Sequence, residues 1–168
     1  MKILPVENKD LLDLADIEKE LFKEDAFGVF LLFHYLENNI IFSKILNEEE
    51  VLIGFGIVAE LNQTILNPHE LKFIKKIENR KGSIAHLVDF AIRTEFWHKG
   101  YGTRLLNHLS NILREIHYDW FYLEVNTSNR RAIEFYKHNR FREIGTISAY
   151  YSTGQDAILM LKHLNQSE

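Results

Sequence analysis

The sequence predicts one α/β (α+β) domain, and three patterns carry that prediction. Two helical repeats near the start follow a strand-like opening and precede two further strand patterns. A long apolar run, "IAHLVDFAI", passes through two glycines into an amphipathic helix and then into a second apolar strand, "WFYLEV". The chain closes on two strand patterns joined across "STGQ".

Taken in order, "KILPV" reads as a short opening strand. From Asp10, "DLLDLADIEKELF" sets Leu11, Leu14, Ile17 and Leu21 at helical spacing. "VFLLFHYLENN" predicts a second, more apolar helix stopping at Asn38 and Asn39. "IIFSKIL" is a strand, "NEEE" a turn, and "VLIGFGIVAEL" a strand whose glycines predict a bulge or a close backbone approach. Within 62–83, "NPHELKFIKKIENRKG" carries an Asn67 cap, a proline at the first helical position, Glu70 three residues after the cap and a terminating Gly82. A short inserted helix is expected there. "IAHLVDFAI" is nearly continuous in apolar residues, as a strand buried on both faces should be. In the next helix Leu105, Leu109, Ile112 and Ile116 make one face, with Leu106 and Leu113 beside it. After "WFYLEV", "SNRRAIEFYKHN" predicts a helix capped by Ser128 or Thr127. "FREIGTISAYY" and "DAILMLKHL" form the closing hairpin.

Composition narrows the function classes. The chain has 168 residues, of which 46% are hydrophobic and 26% charged, and this describes a globular protein with a sizeable core. A net charge of −4 argues against a general nucleic-acid binder. The lack of cysteine excludes disulfides, thiolate catalysis and cysteine zinc sites. The histidines are scattered without ligand spacing, so no metal site is expected. No apolar stretch has the length of a membrane span or a signal peptide, so no membrane partner and a cytoplasmic location are expected.

"WHKGYG", residues 97–102, is the most informative short stretch. A glycine turn after a buried strand leaves the first amides of the next helix unpaired and pointing outward. Those donors and the positive end of the helix suit a phosphate. Gly100 and Gly102 permit close approach, and Lys99 and Arg104 add positive charge. The same glycines also permit an ordinary tight turn, and the six residues by themselves leave both readings open. Neither a Walker loop nor a three-glycine dinucleotide fingerprint fits.

"DFAIRTEFWHKGYGTRLLNHL" resembles the acetyl-CoA-binding motif of the GNAT superfamily of N-acetyltransferases, an apolar strand followed by Arg/Gln-x-x-Gly-x-Gly/Ala at the start of a helix. The glycine positions match Gly100 and Gly102. The basic or amide position falls on Trp97, and His98 stands where glycine is frequent. "WFYLEVNTSNRRAIEFYKHNRF" resembles the superfamily's Leu-Glu-Val … Asn … Ala … Tyr … Gly-Phe block, with Arg140 in place of its glycine. "AYYSTGQDAILML" and "IEKELFKEDAF" are similar to the ribosomal-protein-alanine acetyltransferase (RimI-like) branch. The likeness implies one domain over 1–168, with a mixed, mostly antiparallel sheet of six to seven strands and helices on both faces. It covers nearly all of the chain except 62–83, a 22-residue insertion where the branch has a short turn.

The resemblance also implies roles. Acetyl-CoA would be held by the backbone of Phe90, Ala91 and Ile92, by Trp97, His98, Lys99, Gly100, Tyr101, Gly102 and Thr103, and by Asn129. Glu124 would be the general base and Tyr136 the general acid, with His86 on the central strand a rival base. The pattern is consistent: Glu124 shares a strand face with Tyr122 and Asn126, and Asn129, Ile133 and Tyr136 run along one side of a helix. Tyr150 and Tyr151 match a pair that lines the peptide entry in N-terminal acetyltransferases; cross-strand packing is the alternative. The implied reaction is transfer from acetyl-CoA to the α-amino group of a protein N-terminus, a ribosomal protein among the acceptors. A small-amine acetyltransferase and a non-catalytic acyl-CoA-binding domain are the alternatives. A monomer or a homodimer is expected. At the end of the tyrosine helix, Asn139 is expected to take any left-handed position and so spare Arg140.

Overall fold

A computed structural model describes residues 1–38, 41–61 and 82–165. Of the inserted segment 62–83, residues 62–81, and with them the expected short helix, lie outside the described residues. The elements run β1 (Lys2–Pro5), α1 (Leu11–Phe22), α2 (Gly28–Asn38), β2 (Ile41–Leu46), β3 (Leu52–Glu60), β4 (Ile84–Ile92), α3 (Tyr101–Glu115), β5 (Trp120–Asn126), α4 (Arg130–His138), β6 (Arg142–Ile147) and β7 (Ala157–His163). The seven strands hydrogen-bond in the order β1-β2-β3-β4-β5-β7-β6. Pairings β1–β2, β2–β3, β5–β7 and β6–β7 are antiparallel, whereas β4–β5 is parallel. A parallel neighbour demands a crossover, and α3 supplies it.

Contacts divide the chain into two compact units. The first comprises Met1–Ala59 and Leu87–Ile112, and the second the described residues of Glu60–His86 and Leu113–Glu168.

In the first unit, Leu14, Ile17, Leu32, Phe55 and Ile57 are fully buried in one cluster with Phe42, whose ring centroid lies 6.0 Å from that of Phe55. Each such side chain contributes roughly 1.5–3 kcal/mol by leaving water. Strand alternation sends Phe55 and Ile57 to the α1 and α2 side and turns Gly54 and Gly56 to the other. There the glycines are needed for space: a Cβ on Gly56 would lie 2.8 Å from the Leu109 side chain, and one on Gly54 would lie 2.3 Å from the Ala91 carbonyl oxygen. The close approach expected from "GFG" is therefore present, with helix α3 packed over it. The bulge is present too, where the β2–β3 register shifts between Ile45 and Leu46.

In the second unit, β5 and β7 pair continuously from Trp120↔His163 to Asn126↔Ala157. One face of these strands carries Tyr122, Leu159 and Leu161 with Ile84 and Ile147. The other carries Phe121, whose ring lies 5.6 Å from that of Phe141.

Three local expectations change. The buried stripe of α3 is Leu105, Leu106, Leu109 and Leu113, whereas Ile112 is half-buried and Ile116, beyond the helix, is exposed. The cap of α4 is neither Thr127 nor Ser128 but Asn129, whose Oδ1 accepts the Ala132 N–H at 3.1 Å. Ser128 is instead drawn back to Asn126, donating its N–H (2.9 Å) and its hydroxyl (2.7 Å) to the Asn126 side chain. At the other end of α4 it is Arg140, at φ 70°, that adopts the left-handed conformation, with Asn139 at φ −88°. The Arg140 N–H reaches the Lys137 carbonyl (3.0 Å) and the Phe141 N–H the Tyr136 carbonyl (3.0 Å), the paired bonds that satisfy a helix end. Asn139 is held in right-handed geometry because its side-chain amide donates to the Phe135 carbonyl at 2.7 Å.

Candidate active site

In the first unit, the exit from β4 is fixed by the Arg93 N–H, which donates to the Ile53 carbonyl at 2.8 Å. A single turn at Thr94–Phe96 follows, and the Trp97 N–H closes it on Thr94 at 3.1 Å. His98 (φ 60°) and Gly100 (φ 82°) then both take left-handed conformations. Two such residues flanking Lys99 swing the chain into α3. The first α3 bond runs from the Arg104 N–H to the Gly100 carbonyl at 3.1 Å, so the amides of Tyr101, Gly102 and Thr103 precede the helical ladder. Three helix-terminal amides and a helix dipole, with Lys99 and Arg104 adjacent in sequence, have the chemistry that would suit a phosphate group. Gly100 suits this conformation, whereas His98 adopts it at a cost of about 1 kcal/mol.

Trp97 departs from the cationic pattern in a definite way. Its indole N–H donates to the Ile92 carbonyl at 2.6 Å and ties the turn back to the strand. That carbonyl retains a second lone pair, so the tie does not remove Ile92 as an acceptor. Lys99 lies 5.2 Å from the centroid of the Phe96 ring, which stands edge-on to Tyr101 at 6.0 Å.

In the second unit, the register Ile84↔Trp120, Ala85↔Phe121 and His86↔Tyr122 brings β4 beside β5. It places His86 next to Glu124: Nε2 and the carboxylate Oε2 are 2.7 Å apart. The ring N–H is the donor in such a contact. The Glu124 side chain is 7% exposed and that of His86 19%. The second carboxylate oxygen, Oε1, is buried without a hydrogen-bond donor among the described residues. The two rival bases of the sequence reading are thus one hydrogen-bonded pair.

Tyr136 is 8% exposed, with ring centroids of Phe135 and Phe141 at 5.2 and 5.6 Å. Phe141 in turn packs on Phe121, which alternation places on the face of β5 opposite Glu124. Acid and base candidates therefore belong to opposite faces of one strand. Asn129 is committed through Oδ1 to capping α4, which leaves its amide NH₂ as the group to face a ligand. Tyr150 packs against the Ile84, Tyr122, Ile147, Leu159 and Leu161 cluster, on the face of Glu124, and its ring lies edge-on to Tyr151 at 5.1 Å. Their loop is tied at two points. The Tyr151 N–H donates to the Gln155 carbonyl (3.1 Å) and the Ala149 N–H to Asp156 Oδ1 (2.9 Å).

One group escaped the sequence reading. Asp89 on β4 is 8% exposed, and Glu18 on α1 is 1% exposed. Burial, and then the hydrogen bond and negative charge of Glu18, push the Asp89 carboxyl well above the ordinary carboxylate range. The signals were an aspartate inside the apolar run "HLVDFAI" and a glutamate one position after Ile17, on the inward side of α1.

Comparison with known proteins bears on the family and the fold. Residues 9–141 match the model of the acetyltransferase (GNAT) family. The N-alpha-acetyltransferase of Sulfurisphaera tokodaii is 37% identical over 76 residues, 45% of this chain and 46% of that protein. That of Saccharolobus solfataricus is 35% identical over 86 residues, 51% of this chain and 50% of that protein. The chain thus spans about half the length of the curated relatives it matches. Among solved structures, Ard1 from Thermoplasma volcanium superposes with a TM-score of 0.80 at 20% identity, covering 98% of both chains. The ribosomal-protein-S18-alanine N-acetyltransferase from Escherichia coli gives 0.76 at 20% identity, covering 99% of this chain and 96% of that one. Arabidopsis thaliana NAA60 in complex with acetyl-CoA gives 0.80 at 18% identity, covering 98% and 99%. At these identities the structures establish the shared fold, and the family match over most of the sequence assigns the chain to the GNAT acetyltransferase family.

Proposed function

We propose that this protein transfers the acetyl group of acetyl-CoA directly to the α-amino group of a protein or peptide N-terminus. The observation that carries this reading is the buried Glu124 carboxylate, held through Oε2 by His86 and left with Oε1 free of donors among the described residues. A buried carboxylate oxygen without a donor is a receptor for an ammonium group and then for its proton. Acetyl-CoA supplies the activated thioester. Its pyrophosphate fits the amides of Tyr101, Gly102 and Thr103 with Lys99, and its pantetheine arm fits the backbone of Phe90, Ala91 and Ile92, with Asn129 a further contact.

In this reading the ammonium gives one proton to the Glu124–His86 pair and the neutral amine attacks the thioester carbonyl carbon. The C–N bond forms, the C–S bond breaks, Tyr136 gives its hydroxyl proton to the departing sulfur, and the second proton shed by the new amide nitrogen passes through solvent to restore the Tyr136 hydroxyl. The α-amine is the acceptor such a pair serves well. At neutral pH about one N-terminal amine in ten is already neutral, against about one lysine in a few thousand. The names of the archaeal relatives point the same way. Tyr150 and Tyr151, on the Glu124 side, are the candidates to line the peptide.

The test is thiol release from acetyl-CoA against a panel of N-terminal peptides, a ribosomal-protein N-terminus included, beside polyamines, amino sugars and free amino acids. Release with peptides is expected. Release with small amines alone refutes the acceptor class, and tight CoA binding without release from any acceptor refutes catalysis.

A further inference from the structure

Between Ile92 at the end of β4 and Tyr101 at the start of α3 the chain turns over residues 93–100. The near half of that turn is pinned by backbone bonds. The Arg93 N–H donates to the Ile53 carbonyl (2.8 Å), the Phe96 N–H to the Arg93 carbonyl (3.0 Å) and the Trp97 N–H to the Thr94 carbonyl (3.1 Å). The far half holds both left-handed residues, His98 at φ 60° and Gly100 at φ 82°, before the helical ladder starts at the Arg104 N–H. A non-glycine residue held left-handed tends to rotate back. Rotation at His98 would carry the amides of Tyr101, Gly102 and Thr103 with it.

The Trp97 side chain stands where the two halves meet. Its indole N–H crosses back to the strand and donates to the Ile92 carbonyl at 2.6 Å. Trp97 is half-buried and Ile92 is buried, so water competes little for this bond. An indole is a rigid, neutral donor, and it fixes a distance without burying a charge. The Phe96 ring, edge-on to Tyr101 at 6.0 Å, spans the same turn.

We propose that Trp97 is a positioning residue for acetyl-CoA, its indole fixing the reach between the amides that take the pyrophosphate and the strand end that takes the pantetheine arm. The proposal rests on the cofactor placement given above. Phe90, Ala91 and Ile92 lie before the Trp97 tie, and Tyr101, Gly102 and Thr103 lie after it. CoA joins pyrophosphate and arm in one covalent chain. It engages both sets of groups at full strength only when their separation matches its own. A ligand confined to one set does not sense that separation.

The test is calorimetric titration of the intact protein with two probes, CoA and adenosine 3′-phosphate 5′-diphosphate, which keeps the pyrophosphate and lacks the arm. Trp97→Phe removes the indole N–H and keeps an aromatic ring. It should weaken CoA by about three- to tenfold, the worth of one neutral hydrogen bond, and leave the nucleotide within about 1.5-fold of the wild type. In thiol release the KM for acetyl-CoA should rise by the same factor with kcat held. A loss for the nucleotide as large as that for CoA describes a turn that has merely loosened, and it overturns the proposal. So does an unchanged CoA affinity. A wild type that binds neither probe removes the cofactor placement itself, and the proposal falls with it. Nitrogen-15 NMR of the wild type answers without any variant: the Trp97 indole N–H should stay protected from exchange in the CoA complex, and loss of that protection on binding refutes the proposal.

Discussion

Replacing both members of the His86–Glu124 pair, singly and together, distinguishes one catalytic unit from two independent groups. Glu124→Gln keeps the shape and removes the proton acceptor, so turnover should fall by about 10²–10⁴, the usual worth of a general base. His86→Ala leaves the acceptor but removes its 2.7 Å partner. A hydrogen bond to a charged group is worth about 1.5–3 kcal/mol, which converts to a loss of about ten- to 150-fold. Because His86 acts through Glu124, the double variant should be no worse than Glu124→Gln. The assay is steady-state thiol release with a peptide acceptor from about pH 7 to about pH 9, over which the neutral fraction of an α-amine rises from about one in ten to about nine in ten. The Glu124→Gln deficit should narrow with pH by up to about tenfold, since solvent then does the work of the base. Losses that multiply in the double variant, or a small pH-independent deficit in Glu124→Gln, would refute the reasoning.

Tyr136→Phe should lower turnover by about 10²-fold or more with acetyl-CoA affinity nearly unchanged, measured by calorimetry beside kinetics; unchanged turnover rules out the acid role. Arg140→Gly relieves a left-handed strain of about 1–2 kcal/mol and adds chain entropy to the unfolded state, so a net gain of about 0.5–1 kcal/mol is expected in urea unfolding. A loss would show that the Arg140 side chain outweighs its backbone. Burial, and then the charges of Arg114 and Arg140, hold the Lys162 ammonium down to about 8. Its folded value lies below its unfolded one, so the native state is penalised at neutral pH and the penalty fades as pH rises from about 8 toward the unfolded value. Lys162→Met should therefore stabilise the protein at pH 7 and lose that advantage by about pH 10 in urea titrations; a gain constant across that range contradicts the assignment.

Periodicity carried most of the fold. The helices α1 to α4 and the strands β1 to β7 lie where apolar spacing and turn residues put them, because local pattern and tertiary burial agree. Details that depend on a rotation of the chain were harder to read. A drift of the helical phase moved the buried stripe of α3 from Ile112 to Leu113. The left-handed residue at the end of α4 was decided by a side-chain bond of Asn139 that no propensity records. The turn at "WHKGYG" was legible because a left-handed conformation and the glycine that suits it fall on one residue, Gly100. The His86–Glu124 contact was not, since it depends on the register of two strands separated by α3. The Asp89–Glu18 pair was missed for the same reason, joining elements far apart in sequence.

Strand β7 lies between β5 and β6 although it is the last of the three along the chain. In a chain growing from its N-terminus, β5 stands with one edge bare while α4 and β6 are added, and β6 has no sheet neighbour to settle on. Only when β7 emerges can the β6–β7 hairpin enter as a unit. Until then any second chain at the same stage offers an equivalent vacant edge. Exchange of that hairpin between two chains is the misassembly this topology invites when the protein is made in excess. The finished molecule guards the outer edge differently: β6 is irregular between Glu143 and Gly145 and carries exposed Arg142 and Glu143, a poor template for a further strand.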